Sequence, residues 1–214
     1  MANKQFDIKI QNFQSALKEM GETVENAIKR AIDAVKSSDE KEAVNVAEDD
    51  YLINSMRDTI ETEAVRILIS QTPYGRYIRI VIAGLKMATH FERMGDYAAH
   101  LTSIAKNKTN PDIKNKIVQM ASSALSMATS ANKALFLDSA EYARQVAVMD
   151  DDIDKKKKEI DALILKKTPA TEEEKKELYD YFFVVKEIER LGDRITSLCA
   201  WVVYSLCGDK PKLN

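Results

Sequence analysis

The residues best suited to chemistry in this chain are two pairs of carboxylates with the same spacing. Glu92 and Asp96 flank Arg-Met-Gly in the first half of the chain. Glu189 and Asp193 flank Arg-Leu-Gly 97 residues later. On an α-helix a step of four residues turns the chain by roughly 400°, so each pair lies on one helix face about a turn apart. This repeated pair predicts a duplicated site for cations.

A second set of acids interrupts the apolar stripes of two other predicted helices. Asp50 interrupts the first stripe, and Asn54 lies beside it four residues further on. Asp150 interrupts the second stripe at the matching position, and Asp154 lies four residues further on. Placing a carboxylate at an apolar boundary costs several kcal/mol unless it is paired or bound to a metal. Each half must therefore supply a compensating charge.

Two kinds of compensation are open from the residues alone. Arg57 and Lys157 lie on the same stripes, so an ionic layer without metal would fix the bundle register. Three observations favour metal. The acids outnumber these bases, and the pairs on adjacent helices would bring up to four carboxylates to one point. In addition, Gly95 and Gly192 would allow close helix approach. Hard oxygen ligands suit Mg²⁺, Mn²⁺, Ca²⁺ or iron. A metal-dependent hydrolase is a third interpretation, but no base or substrate pocket is evident.

The composition predicts an all-α protein. Apolar residues make up 45% of the 214 residues and charged residues 31%, with only 6 Gly and 4 Pro. A net charge of −2 gives no electrostatic reason to expect nucleic acid or an anionic membrane as partner. Cys199 and Cys207 would lie about 12 Å apart on one helix, too far for a disulfide, so we expect two buried free thiols. With no leader and no apolar run of membrane-spanning length, we expect a cytoplasmic protein.

Helix start and stop signals position these residues on six long helices. Capping boxes predict helix starts at Asp39, Asp138 and Thr171, and Asn110-Pro111 predicts a fourth. Residues 72–75 (Thr-Pro-Tyr-Gly) end the second helix. The predicted helices span about residues 6–36, 39–70, 76–106, 111–137, 138–167 and 171–207.

The two halves of the chain match each other. Residues 46–53 align with 146–153 at an offset of 100, and the carboxylate motifs align at an offset of 97. Short connections make neighbouring helices antiparallel. We therefore predict a tandem duplication, with one three-helix bundle in residues 1–108 and a second, side by side with it, in residues 109–214.

With these motifs the sequence resembles the PhoU family of phosphate-signalling regulators. The resemblance covers the whole chain and depends on the duplicated three-helix unit and two motifs, Glu92-Arg93-Met94-Gly95-Asp96 and Glu189-Arg190-Leu191-Gly192-Asp193. It implies metal ions or iron clusters, with Mg, Mn or Fe as candidates, held by carboxylates on the bundle surface. The metal ligands implied here are Glu92, Asp96, Glu189, Asp193, Asp50, Asp150 and Asp154. Asn54 departs from the acidic pattern that Asp154 keeps, which leaves occupancy of the first site open.

The resemblance also implies a function and partners. Members of the family are cytoplasmic negative regulators that link a phosphate ABC transporter, through its ATPase, to a sensor histidine kinase. We therefore expect a regulator that works by protein contacts and forms a homodimer. We expect no enzyme activity, because the chain lacks Glu-x-x-His pairs, a nucleophile set and a glycine-rich phosphate loop.

The histidines and the lysine run are predicted to be peripheral. His100 extends the face of Glu92 and Asp96, but its counterpart is Ser197, so the duplicated site does not require it. His90 points away from the pair and is predicted to lie on the surface. The run 155–158 (four lysines) reads as a solvated helix face.

Overall fold

The computed structural model describes residues 2–70 and 75–213, without the side chains of residues 2–5 and 70. The described residues form α-helices and one short 3₁₀ helix, which confirms the all-α prediction. The elements are α1 Ala2–Ser37, α2 Glu40–Glu48, α3 Asp50–Ser70, α4 Arg76–Leu101, a 3₁₀ helix Thr102–Ile104, α5 Pro111–Phe136, α6 Ala140–Ala147, α7 Asp150–Leu165 and α8 Glu172–Cys207.

Two predicted helices are each broken in two. The helix expected over 39–70 ends at Glu48 and restarts at Asp50, and the one expected over 138–167 ends at Ala147 and restarts at Asp150. The continuous apolar stripe concealed both breaks. Aspartates favour helix starts over helix interiors, because a carboxylate stabilises the first turn. The breaks therefore place Asp50 and Asp150 in the first turns of α3 and α7.

The helix-start predictions were mostly confirmed. The side chains of Asp39 and Thr171 accept hydrogen bonds from the backbone N–H groups of the residues three further on. Asn110 precedes a helix with Pro111 at its start, although its side chain makes no capping bond. The prediction at Asp138 was wrong by one residue: Asp138 has a left-handed φ of 49°, and Ser139 is the cap. Except for Gly75, the predicted break at 72–75 lies outside the described residues.

Each half packs three helical rods together. In the first half α1, α3 and α4 contact one another, and in the second α5, α7 and α8 do so. The halves meet where α4 packs on α8 and α1 packs on α5. Helices α4 and α8 are antiparallel, because His100 contacts Glu187 near one end while Arg79 lies beside Gly208 near the other. The boundary between residues 108 and 109 stays a prediction.

Two buried residues of opposite charge, Glu177 and Lys114, anchor the connection between the halves. Glu177 of α8 accepts hydrogen bonds from the backbone N–H groups of Lys108 and Thr109, at 2.9 and 2.8 Å. Lys114 of α5 is buried and donates to the carbonyl oxygens of Ala105 and Asn107, at 2.7 and 3.0 Å. Helices α8 and α5 therefore both hold the connection.

None of the described helices combines the length and apolarity needed to cross a bilayer. The expectation that both cysteines are buried was wrong for one of them. Cys199 lies in the core, whereas Cys207 is exposed at the end of α8.

Candidate metal centres on the motif helices

The first candidate centre lies between α3 and α4. Glu92 is only 7% exposed, and its Oε1 lies 3.3 Å from Nη1 of Arg57 on α3. Its Oε2 is buried without a hydrogen-bond partner, and the nearest cation is Nε of Arg93 at 3.4 Å. Burial and then repulsion by Asp96 raise the pKa of Glu92, against the lowering effect of both arginines. The charged form of Glu92 is thus incompletely compensated by protein groups.

Asp50 and Asp96 face the same point from the two helices. Asp50 accepts a hydrogen bond from Nδ2 of Asn54 at 2.9 Å, while its other oxygen, Oδ1, is buried without a hydrogen-bond partner. Burial and then the charge of Asp96 raise the pKa of Asp50. Asp96 itself pairs with Arg93 at 3.0 Å. The first half therefore brings Asp50, Glu92 and Asp96 within mutual electrostatic reach.

The second candidate centre lies between α7 and α8 and is more open. Asp150 is buried, and Thr196 of α8 donates a hydrogen bond to its Oδ2 at 3.4 Å. Glu189 is half-buried, and its Oε1 lies 3.9 Å from Nζ of Lys157, which makes a closer pair with Asp161 at 2.9 Å. Burial raises the pKa of Glu189 despite Lys157.

The outer acids of this centre repel one another. Asp154 and Asp193 are exposed on the two helices. Desolvation and then the charge of Asp154 raise the pKa of Asp193, against Arg194 and Arg190. Asp154 also acts unfavourably on Glu189. Asp154 of α7 therefore lies within electrostatic reach of both acids of α8.

The motif glycines permit this close approach, as the sequence predicted. A Cβ atom built on Gly192 would collide with Oδ1 of Asp150. A Cβ atom on Gly95 would lie 3.1 Å from Oδ1 of Asp50 and 2.8 Å from Cδ1 of Ile53. In both halves the glycine makes room for the carboxylate of the neighbouring helix, and the fit is tighter in the second half.

The carboxylates suit a hard cation in type but are not arranged as a finished coordination shell. Among the described residues, no three Asp, Glu, His or Cys side chains converge in a metal-binding geometry. Two oxygens, Glu92 Oε2 and Asp50 Oδ1, are buried without hydrogen-bond partners. These oxygens are available to a cation, while Arg57 and Lys157 compensate part of the negative charge.

Sequence reasoning missed the contact that joins the two halves at His100. Nδ1 of His100 lies 2.9 Å from Oε2 of Glu187, a buried residue of α8 that also accepts a hydrogen bond from Arg190 at 2.8 Å. Glu187 lies on the same helix face as the apolar residues Val184 and Leu191. A charged residue within an apolar stripe was the sequence signal that indicated a buried polar contact. The partner could not be inferred, because it depends on how α4 packs on α8.

A cluster of cations around His90 was also missed. His90 was predicted to be a surface residue, but Nδ1 of its ring is buried without a hydrogen-bond partner. Burial, followed by the charges of Arg194, Lys210 and Lys86, lowers the pKa of His90 to about 4. Burial and the neighbouring positive charges therefore favour the neutral form of His90.

Known proteins resemble this chain over its whole length. The chain is 28% identical to the phosphate-specific transport system accessory protein PhoU homolog of Clostridium acetobutylicum, over 100% of both chains. It is 27% identical to the protein of the same name from Streptococcus pneumoniae, over 98% of this chain and 99% of the relative.

Solved structures show the same fold. The crystal structure of PhoU from Pseudomonas aeruginosa matches with a TM-score of 0.88 at 24% identity, covering 95% of this chain and 100% of that one. The phosphate transport system regulatory protein PhoU from Streptococcus pneumoniae matches with a TM-score of 0.87 at 23% identity, over 97% and 99%. The PhoU domain family model matches twice, over residues 17–105 and 117–202. The chain belongs to the PhoU family.

Proposed function

We propose that this protein is an accessory protein of a phosphate-specific transport system that regulates phosphate uptake and phosphate-starvation signalling from the cytoplasm. The observation that carries the proposal is the full-length similarity to relatives named as accessory proteins of the phosphate-specific transport system. The protein would act by contact rather than by catalysis. Its partners would be the ATPase of a phosphate ABC transporter and a sensor histidine kinase.

Exposed apolar side chains supply candidate anchors for these contacts. Tyr179, Phe182 and Phe183 of α8 are 72%, 45% and 41% exposed. Tyr and Phe are enriched at protein interfaces, and Tyr is among the residues that most often dominate the binding energy there. Trp201, by contrast, packs against the core. We propose that the α8 aromatics, rather than the lysines of 155–158, dominate partner binding or the homodimer contact. Light scattering of the wild type and of Tyr179→Ser would separate partner binding from the homodimer contact. A dimeric wild type and a monomeric variant would assign the aromatics to the homodimer contact. A monomeric wild type would assign them to partner binding.

The test of the regulatory role is a deletion strain. Loss of the protein should leave phosphate-starvation genes expressed in phosphate-rich medium, and the wild-type gene should restore repression. Normal repression in the deletion strain, with no co-purifying transporter or kinase component, would contradict the proposal.

We further propose that the two candidate centres bind divalent or ferric ions, with Mg, Mn and Fe as candidates. Support comes from the raised pKa values of Asp50, Glu92 and Glu189 and from the unpartnered buried oxygens. In each case burial disfavours the charged carboxylate, and a bound cation would compensate that cost. Asp96, Asp193, Asp150 and Asp154 would complete the two ligand sets.

The alternative is a structural ionic layer without metal. The pairs Arg57–Glu92 and Lys157–Asp161, at 3.3 and 2.9 Å, favour it. Metal analysis of purified protein, comparing the wild type with Glu189→Ala/Asp193→Ala, separates the two. Metal retained by the wild type and lost by the variant supports the centres. Metal absent from both supports the ionic layer and leaves the regulatory role untouched.

A further inference from the structure

A basic cavity lies at the connection between the halves. It has a volume of about 280 Å³ and is bounded by the end of α1, the residues after the 3₁₀ helix and the start of α5. Three lysines line it, one from each of these parts: Lys36, Lys108 and Lys114. None of the described residues that line the cavity carries a carboxylate, and none is a proposed metal ligand. The cavity therefore collects positive charge from three parts of the chain.

Lys114 is a buried cation that is held by neutral groups. Its Nζ donates hydrogen bonds to Oγ of Ser38 and to the carbonyl oxygens of Ala105 and Asn107, at 3.0, 2.7 and 3.0 Å. These three bonds use all the protons of the ammonium group and fix its position. Within the described part of the chain Lys114 forms no ion pair, and Glu177 is the carboxylate that acts on its charge. A buried charge without a paired ion is unfavourable, so an anion in the cavity would stabilise it.

The carboxylate of Glu177 is already engaged by other donors. It accepts hydrogen bonds from the backbone N–H groups of Lys108 and Thr109 and from the hydroxyl of Thr109. The side chains of Lys36 and Lys108 are exposed and form no ion pair among the residues that the structure describes. Even when Glu177 is counted, three positive charges stand against one negative charge. Positive charge is therefore in excess at the cavity and attracts anions.

The cavity wall also offers hydrogen-bond donors that the protein does not use. Asn107 is 3% exposed, and its Nδ2 is buried without a hydrogen-bond partner. Helix α5 begins at Pro111 on the same wall, and its start has no side-chain cap. The start of a helix is the positive end of its dipole and favours an anion. Asp112, the acid of the first turn, lines a different cavity. The buried amide and the helix start therefore add to the attraction for an anion.

We propose that this cavity binds a small tetrahedral oxyanion of the phosphate or sulfate type, either free or as the head group of a small ester. Lys36 and Lys108 are the mobile donors that close on the ion from the rim. Asn107 supplies the buried amide donor, and Lys114 supplies a charge whose position is fixed. The proposal is independent of the regulatory role and of the metal centres.

The size and the walls of the cavity leave room for more than a single ion. Val35 and Val118 also line it, so an ester would place its apolar part against them. The duplication does not repeat the site: at the offset of 100, the counterpart of Lys36 is Phe136, which supplies no cation. We therefore expect one anion per chain.

The test is the binding of inorganic phosphate at constant ionic strength, measured by calorimetry. The site variant is Lys36→Gln/Lys108→Gln, which changes two exposed side chains and leaves the core intact. The matched control is Lys41→Gln/Lys106→Gln, which removes the same charge from two exposed lysines that do not line the cavity. Asn107→Asp is a second variant, nearly equal in size, that replaces the buried donor by a carboxylate. Thermal unfolding shows whether each variant is folded, and if Asn107→Asp is not, the lysine variants decide.

We expect the wild type to bind phosphate and sulfate to compete with it. The dissociation constant should rise at least tenfold in the site variant and in Asn107→Asp, and stay within twofold in the control. Phenyl phosphate is the probe for an ester: binding tighter than that of inorganic phosphate assigns the site to an organic phosphate, and equal or weaker binding assigns it to the free ion. The site is refuted if the wild type does not bind phosphate, or if the control weakens binding as much as the site variant. It is also refuted if the site variant binds as the wild type does, since phosphate held by a metal would not depend on these lysines.

Discussion

Replacing Gly192 by alanine tests the close approach on which the second candidate centre depends. A Cβ atom at this position would collide with Oδ1 of Asp150, which is buried and receives a hydrogen bond from Thr196. Asp150 lies in the first turn of α7, so its carboxylate can yield only by rotating away from α8 or by moving the helix. Either movement takes it away from Glu189 and Asp193.

Two opposing terms set the size of the stability change. Alanine gains about 1 kcal/mol over glycine in a helix interior. Overpacking a well-filled contact costs about 1–3 kcal/mol. We therefore expect Gly192→Ala to lower the free energy of unfolding by about 1 kcal/mol. The effect on cation binding should be larger: a tenfold loss of affinity is about 1.4 kcal/mol. A cation at 100 times its dissociation constant stabilises the wild type by about 2.7 kcal/mol, and this would fall to about 1.4 kcal/mol in the variant.

The assay is urea unfolding with and without Mn²⁺, in the wild type, Gly192→Ala and a steric control. The control is Gly84→Ala, whose new Cβ atom would collide with the ring of Phe13, in the core away from the carboxylates. We expect the control to lose stability but keep the full response to Mn²⁺. The reasoning is refuted if Gly192→Ala is more stable than the wild type, because only the gain in helix propensity would then remain.

Three further predictions follow from other contacts. Asn54→Asp should tighten cation binding at the first centre, since affinity rises with ligand charge; site-resolved titration that finds the wild type and variant equal would show that residue 54 is not a ligand. Glu177→Gln should destabilise by about 1–3 kcal/mol at neutral pH, because Glu177 accepts charge-assisted hydrogen bonds. Although burial alone would raise the pKa of Glu177, Thr109, the backbone donors and Lys114 outweigh it and lower that pKa, so the stabilisation is lost as pH falls through the folded-state value. Unfolding measured from pH 7 to pH 3 should show the gap between wild type and variant closing in acid. A thiol reagent should label Cys207 in the native protein but not Cys199, whose burial raises its pKa to about 12. Mass spectrometry of the labelled protein checks this, and labelling of Cys199 in preference to Cys207 would contradict it.

Local signals were enough to predict the helical fold. Among the described helices, α2, α6 and α8 start with a side-chain cap and α5 starts with a proline. These signals act within four residues, where the sequence alone decides the outcome. The breaks before Asp50 and Asp150 were missed because an unbroken apolar stripe was given more weight than the aspartates that start the next helix. The stripe continues across each break because both parts pack on the same neighbouring helices.

The candidate site was predictable only within each half. Glu92 and Asp96 share a helix face by spacing alone, and the duplication of the pattern indicated which acids on the neighbouring helix would face them. The pairing of His100 with Glu187 and the cations around His90 involve α4 and α8 together. Nothing in the spacing within one helix specifies how two helices from different halves pack against each other.

The duplication also explains why the two halves have different chemistry. A duplicated unit starts with two equal sites, and its copies diverge only where the packing tolerates change. Both glycines keep the space for the facing aspartate, because a side chain there would displace it. The residues around that constant centre differ: Asn54 hydrogen-bonds Asp50 in the first half, whereas Thr196 hydrogen-bonds Asp150 in the second. The first centre has the more buried glutamate and the closer arginine. The second has more exposed acids on α8 and a more distant lysine, although its Asp150 is buried. A cation should therefore exchange with solvent more readily at the second centre, and the first should depend more on Arg57 for its stability without metal.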